Sequence, residues 1–306
     1  MNPDLDLDLD LACHLNVLVA DAEPVGLAGA LEALAGLGYR RAVLPPLDGE
    51  TTDAARLRSV FAAAGMSPIT IAGQAPGADV SSDDPAEAAA GEGALRATVD
   101  LTVALGGDQM NGVPYGLFSH PTAPVSVERF DRSARAVGRV ADYAHERGVT
   151  ITFEVLNRYE TSVVNTAERA MEFVARSGSD HLRIHLDTFH MAVEEADLGA
   201  AIRLALPKLA YLELGQSGRG LLSGGAVDLP ELVGRAIDDG YEGRWGVEAF
   251  SRRGLIEPVA DMLAIWRSPF EDGRALAEDA VRVIRRGWSD SVAGRRAQRL
   301  ARGATA

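Results

Sequence analysis

Two short apolar runs in this chain end on carboxylates. Residues 151–155 reach Glu154 just before the polar stretch Asn157-Arg158-Tyr159-Glu160, and residues 182–187 end on Asp187 just before Thr188-Phe189-His190. Both runs favour β-branched residues and a helix-length segment separates them, so they read as neighbouring parallel strands. Ligands bind at the carboxyl ends of strands in parallel α/β sheets and barrels, which gives Glu154 and Asp187 a common site. Two later runs add Glu213 within residues 209–214 and Glu248 at the end of residues 244–248. Four carboxylates aimed into one cavity repel, so they are expected to bind a cation or to keep protons. Oxygen donors of this kind suit an octahedral Mn2+ or Mg2+. The competing reading, that each carboxylate caps the helix after it, is common at strand ends. Against it stand a histidine three residues after Asp187 and a second glutamate six residues after Glu154. His185, two residues before Asp187, shares its face and lies deeper. His14, His120, His145 and His181 sit in no pattern.

Eight repeats of one unit must position these groups. Strands are expected at 13–20, 39–45, 67–72, 103–110, 149–155, 182–187, 209–214 and 244–248. Helices are expected at 24–37, 52–64, 85–105, 126–148, 165–176, 197–205 and 229–239, with terminal helices at 257–266 and 271–288. Leu27, Leu31 and Leu34 recur at helical spacing, and Gly38 fits the stop that follows. Residues 74–85 and 111–124 are rich in Gly, Pro, Ser or Asp and read as long loops over the catalytic face. The succession predicts a single (β/α)8 barrel over residues 12–288, with a flexible acidic tail at 1–11 and a basic tail at 289–306.

Composition narrows the function. The 306 residues are 47% hydrophobic and carry a net charge of -14, which weighs against a protein that grips phosphate backbones. One cysteine, Cys13, excludes an internal disulfide and a cysteine-built metal centre. No run has the length and apolarity of a membrane span, and no secretory signal is evident, so a cytoplasmic location is expected. Lys208 is the only lysine and falls at the entrance of a strand, the wrong end for Schiff-base chemistry.

The segments Glu154-Val155-Leu156-Asn157-Arg158-Tyr159-Glu160 and Leu186-Asp187-Thr188-Phe189-His190-Met191, followed by Glu194-Glu195, resemble the signature of the ketose 3-epimerases. These are the D-tagatose and D-psicose 3-epimerases, a branch of the xylose-isomerase-like barrels. The resemblance extends more loosely over residues 12–287. It implies metal ligands at four strand ends in the order Glu, Asp, His, Glu, which fall on Glu154, Asp187, Glu213 and Glu248. The third departs from the pattern. Where the family's strand seven resembles His-Leu-Gly-Glu-Ala-Asn-Arg, this chain reads Glu213-Leu214-Gly215-Gln216-Ser217-Gly218-Arg219. A carboxylate for an imidazole makes the site harder and more negative.

The resemblance further implies that Glu154 and Glu248 act as the acid–base pair at C3 of a ketose through a cis-enediolate, and that Glu160, His190 and Arg219 hold sugar oxygens. Asn157 and Arg158 buttress the loop. A homodimer or homotetramer is implied as well. Two alternatives stand beside this reading, for which Glu213 would be the marker: elimination or dehydration on a keto-glycoside or inosose, and a barrel without catalysis that serves as a binding subunit. The glycines at 218, 220, 224 and 225 read either as a phosphate loop or as a lid.

Overall fold

The computed structural model describes residues 9–20 and 24–304. Eight parallel strands close into a barrel in sequence order. They are β1 Leu11–His14, β2 Arg41–Val43, β3 Ser67–Gln74, β4 Gln109–Leu117, β5 Thr150–Val155, β6 Arg183–Asp187, β7 Leu209–Leu214 and β8 Arg244–Val247. The helices around them are α1 Pro24–Leu37, α2 Ala54–Ala63, α3 Pro85–Leu105, α4 Val127–His145, α5 Ala167–Ser177, α6 Thr188–Glu194, α7 Leu198–Ala205, α8 Leu229–Asp238, α9 Glu257–Met262, α10 Gly273–Asp290 and α11 Val292–Ala304. The (β/α)8 expectation holds.

Local chemistry explains most helix starts. Asp53, Asp84, Ser126, Thr166, Asp197, Asp228 and Asp272 each accept a backbone N–H from the first turn of the helix they precede. Along α4, the buried residues Phe130, Ala134, Val137, Ala141 and Ala144 recur every three or four positions, the stripe that seats a helix on a sheet. In the core between helices and barrel, Phe173 meets Phe153 and Phe130 at centroid distances of 5.0 and 5.3 Å. Inside the barrel a small apolar layer of Ala12, Val43, Ile69 and Tyr211 supports the site from below. The amino-terminal end is closed by ion pairs. Arg41 Nε lies 2.9 Å from Asp10, and Arg244 Nη2 lies 2.7 Å from Asp108.

Several boundaries differ from expectation for physical reasons. Residues 111–117 are strand, not loop, despite Gly112, Pro114 and Gly116. β4 pairs with β5 only at Gln109 and Met110, so the N–H that Pro114 lacks is not missed there. Gly112 has φ of 111° and lies where an added Cβ would sit 2.2 Å from the Ala72 carbonyl oxygen, beside the register shift in β3. β1 ends at His14, because Leu15–Val17 turn into a 3-10 helix whose Leu15 and Val17 are buried, and this turn packs against α10. Leu11 belongs to β1, so the acidic tail ends earlier than expected; residues 1–8 lie outside the described residues. Residues 188–194, to which no element was assigned from the sequence, form α6, and the helix expected to reach 266 ends at Met262. The basic segment is mostly helix α11, anchored where the Val292 N–H donates to Asp238 at 2.9 Å. Residues 305 and 306 and the Arg302 side chain lie outside what is described.

Candidate active site

Strand register assembles the site. Glu154 on β5 is level with His185 on β6, and Asp187 at the end of β6 is level with Glu213 on β7. The pairs Leu214–Val247 and Cys13–Val247 then set Glu248 beside β7 and His14 beside Glu248. Side chains alternate across a strand, so Ala12 and His14, Tyr211 and Glu213, and His185 and Asp187 point inward in twos. Gly246 leaves Glu213 its room, since a Cβ there would lie 2.6 Å from Glu213 Oε1.

The carboxylates have different partners. Glu213 is fully buried and clasped by two imidazoles, with His14 Nε2 2.9 Å from Oε1 and His185 Nε2 3.1 Å from Oε2. Asp187 divides its oxygens: Oδ1 accepts the Phe189 N–H at 2.9 Å and starts α6, while Oδ2 faces the cavity, 3.2 Å from Arg219 Nη1. Asp187 thus caps a helix with one oxygen and turns the other to the cavity. The same Arg219 nitrogen contacts Glu248 Oε2, and the guanidinium lies 3.6 Å above the Phe189 ring. Glu154 lies 3.4 Å from His190 Nε2. The Asn157 N–H donates to His190 Nδ1 at 3.1 Å, so Nδ1 is unprotonated and Nε2–H points at Glu154 and Asp187.

Charge sorts these groups further. Burial raises Glu154, lifts Asp187 to about 6 against the pull of Arg219, and lifts Glu248 to about 7. Burial would raise Glu213 too, but His14 and His185 outweigh it and hold that carboxyl well below its usual range. Burial would lower His14, yet Glu213 and Glu248 dominate and push it up to about 9. His190, lowered by burial to about 4, is neutral near pH 7.

The loops shape the entrance. Glu160, Asn157, Tyr159, Phe189, Arg219 and Phe250, with residues 263–267 and Pro269, line a cleft of ≈ 420 Å³. Asn157 Nδ2 donates to Glu160 at 3.0 Å, and Arg158 Nη2 pairs with Glu194 at 2.8 Å, so these residues brace the loop after β5. Glu195 accepts the Ala167 N–H at 2.7 Å. Lys208 lies at the opposite end of the barrel, 3.3 Å from the Asp180 carbonyl oxygen.

A divalent cation suits this donor set. His14, Glu213 and Glu248 each offer one donor atom, all within 4.8 Å of one another, and so do Glu154, His185 and Glu213, and Glu154, Asp187 and His190. Glu213 Oε2, His14 Nε2 and both His185 nitrogens are buried without a hydrogen bond, although His14 Nε2 and His185 Nε2 each lie about 3 Å from a Glu213 oxygen. Buried polar atoms left in this state mark a place for a positive charge.

The pattern of the xylose isomerase-like TIM barrels matches residues 15–286. Over 277 residues the chain is 32% identical to a ketose 3-epimerase of Arthrobacter globiformis, covering 90% of this chain and 96% of that one. The chain belongs to the ketose 3-epimerase family. Another member, an L-ribulose 3-epimerase of Mesorhizobium japonicum, is 36% identical over 76% of this chain and 79% of its own. Among solved members, an L-ribulose 3-epimerase structure superposes with a TM-score of 0.87 at 32% identity, covering 97% of this chain and 98% of that one. Against the family pattern, the structure brings together all seven residues expected from the sequence. It adds His14 and His185, which sequence reasoning left without a role or only placed deeper. The signal for His14 lies in pairing between the first and last strands, which no local spacing carries.

Proposed function

We propose that this chain inverts the configuration at C3 of a ketose by removing and returning a proton through a cis-enediolate. One observation carries the reading: Glu154 and Glu248, on strands three apart around the barrel, edge one cluster of donors, and burial raises both. Burial, the largest cause of both shifts, favours carboxyls that can carry a proton, as the two members of an acid–base pair must do in turn. Glu154 takes the C3 proton on one face of the sugar and Glu248 returns one on the other, so each ends in the state in which its partner began. For the reverse turnover the roles exchange. Arg219, held flat on Phe189, donates to sugar oxygens; His190 donates through Nε2–H, and Glu160 accepts hydroxyl protons at the mouth. Glu154, Asp187, Glu213 and Glu248 would hold the Mn2+ or Mg2+, which would supply electrophilic stabilisation of negative charge on the sugar oxygens.

The substrate in this reading is an unphosphorylated ketose of the L-ribulose or D-psicose class, the compounds for which relatives are named. The glycine-rich loop supports the absence of phosphate. Gln216 Oε1 fills it by accepting the Ser217 and Val227 N–H groups at 2.9 and 3.2 Å, and the carboxylate of Asp228 caps α8. Among the described residues no helix is long and apolar enough to cross a membrane, and a cytoplasmic enzyme completes the reading. A homodimer or homotetramer is supported by the exposed apolar side chains Tyr159, Val193, Met262 and Trp266 near the mouth.

The test incubates the metal-loaded protein with L-ribulose and D-psicose in heavy water and follows deuterium at C3. Incorporation at C3 with formation of the C3 epimer is expected. Bound metal with no exchange at C3 but loss of water from a keto-glycoside or inosose would overturn the reading in favour of elimination.

A further inference from the structure

We infer that His14 is a nitrogen ligand of the catalytic cation, so that the metal centre spans β1 as well as β5 to β8. The inference rests on the metal-dependent reading above and adds a ligand to it. His14 is 6% exposed and lies at the carboxyl end of β1, level with Glu248 through the Cys13–Val247 pair. Its Nε2 is 2.9 Å from Glu213 Oε1 and its Nδ1 is 3.4 Å from Glu248 Oε1. The ring therefore stands edge-on between two carboxylates. Nε2 makes no hydrogen bond even at that distance, because the geometry is wrong for donation. A buried imidazole nitrogen that approaches a carboxylate oxygen without bonding to it is placed like a co-ligand, both atoms turned toward a third point. The three residues offer donor atoms within 4.8 Å of one another, a spacing at which one cation reaches all three.

His185 is the rival. Its Nε2 is 3.1 Å from Glu213 Oε2, but its ring lies edge-to-face with Tyr211 at 4.7 Å, deeper in the barrel. Its nitrogens are also buried without a hydrogen bond and it shares a donor group with Glu154 and Glu213, so the ring's greater depth, away from Glu248, is what separates it from His14. A mixed site of carboxylates and one imidazole selects differently from carboxylates alone. Nitrogen raises affinity for Mn2+ and Co2+ relative to Mg2+, which prefers oxygen and water.

The experiment loads the full-length protein with Mn2+ and records electron spin echo modulation, which detects nitrogen bonded directly to the ion. Directly coupled nitrogen is expected in the unmodified protein. It should persist in H185Q and in H190Q, and vanish in H14Q, with Mn2+ binding at least tenfold weaker in H14Q. Circular dichroism establishes whether H14Q is folded. Should it not fold, the other two variants decide, because loss of the nitrogen signal in either assigns the ligand elsewhere and overturns the inference. Bound Mn2+ with no coupled nitrogen overturns this inference and leaves the epimerase reading standing. Failure of the unmodified protein to bind Mn2+, Co2+ or Mg2+ overturns both.

Discussion

Cation binding should release protons, in a number that the site's geometry sets and that falls as pH rises. Without a cation, His14 is raised to about 9, Glu248 to about 7 and Asp187 to about 6. Near pH 6.5 His14 holds a proton, Glu248 holds much of one and Asp187 holds less, so a cation that displaces these protons releases more than one. Near pH 8 the carboxyls are already ionised and only His14 retains a proton, so about one is released. Glu154, also raised, adds in the same direction. The sign follows: protons bound before the cation and lost afterwards make affinity rise with pH, steeply at first and then less so. Titration calorimetry of the metal-free protein with Mn2+, in two buffers of different ionisation enthalpy, counts the protons directly. A release that stayed near zero at both pH values, or that grew with pH, would refute the electrostatic account of the site.

Replacing Glu154 or Glu248 by glutamine should lower kcat by about 10²- to 10⁴-fold, the range for a lost acid–base group, as followed by C3 exchange at saturating metal. Gly246→Ala should leave the protein folded but weaken Mn2+ binding, because the new Cβ would meet Glu213 Oε1 at 2.6 Å and the Tyr211 hydroxyl at 2.5 Å; unchanged affinity would show that Glu213 can move at no cost. Phe173→Ala should destabilise the protein by about 3–5 kcal/mol in urea unfolding while leaving the site chemistry intact, since Phe173 is fully buried among Phe130, Phe153 and Tyr115.

Much of this molecule is legible in its sequence, because barrels repeat a simple alternation and because helix starts announce themselves. Asp53, Asp84, Ser126 and Asp228 each stand one residue before a helix, and Gly38 and Gly106 take the left-handed conformation just after one. Glu154, Asp187, Glu213 and Glu248 are visible as carboxylates at the ends of apolar runs. What stays hidden depends on pairing between strands. β4 continues through Pro114 because its neighbour β5 has already left the ladder, a fact that belongs to two strands and not to one. His14 has no local signature, since its neighbour Glu248 is more than two hundred residues away in the chain. The opposite fates of Glu213 and Glu248, one firmly ionised and the other raised to about 7, come from burial that His14 and His185 outweigh at Glu213 and that Arg219 and His14 do not outweigh at Glu248. Spacing alone does not report that.

The seam between β1 and β8 has a consequence for how the enzyme comes into being. His14 and Glu248 flank that seam, and below it Asp10 and Arg244 are tied across it at 3.2 Å. A chain that has emerged only as far as β7 holds three of the four carboxylates but neither the fourth nor the wall that sets His14 against it. Ring closure is a long-range event and comes late in the making of such folds. The proposed cation site is thus completed by the same step that completes the barrel, and a chain short of that step lacks the last carboxylate of the set.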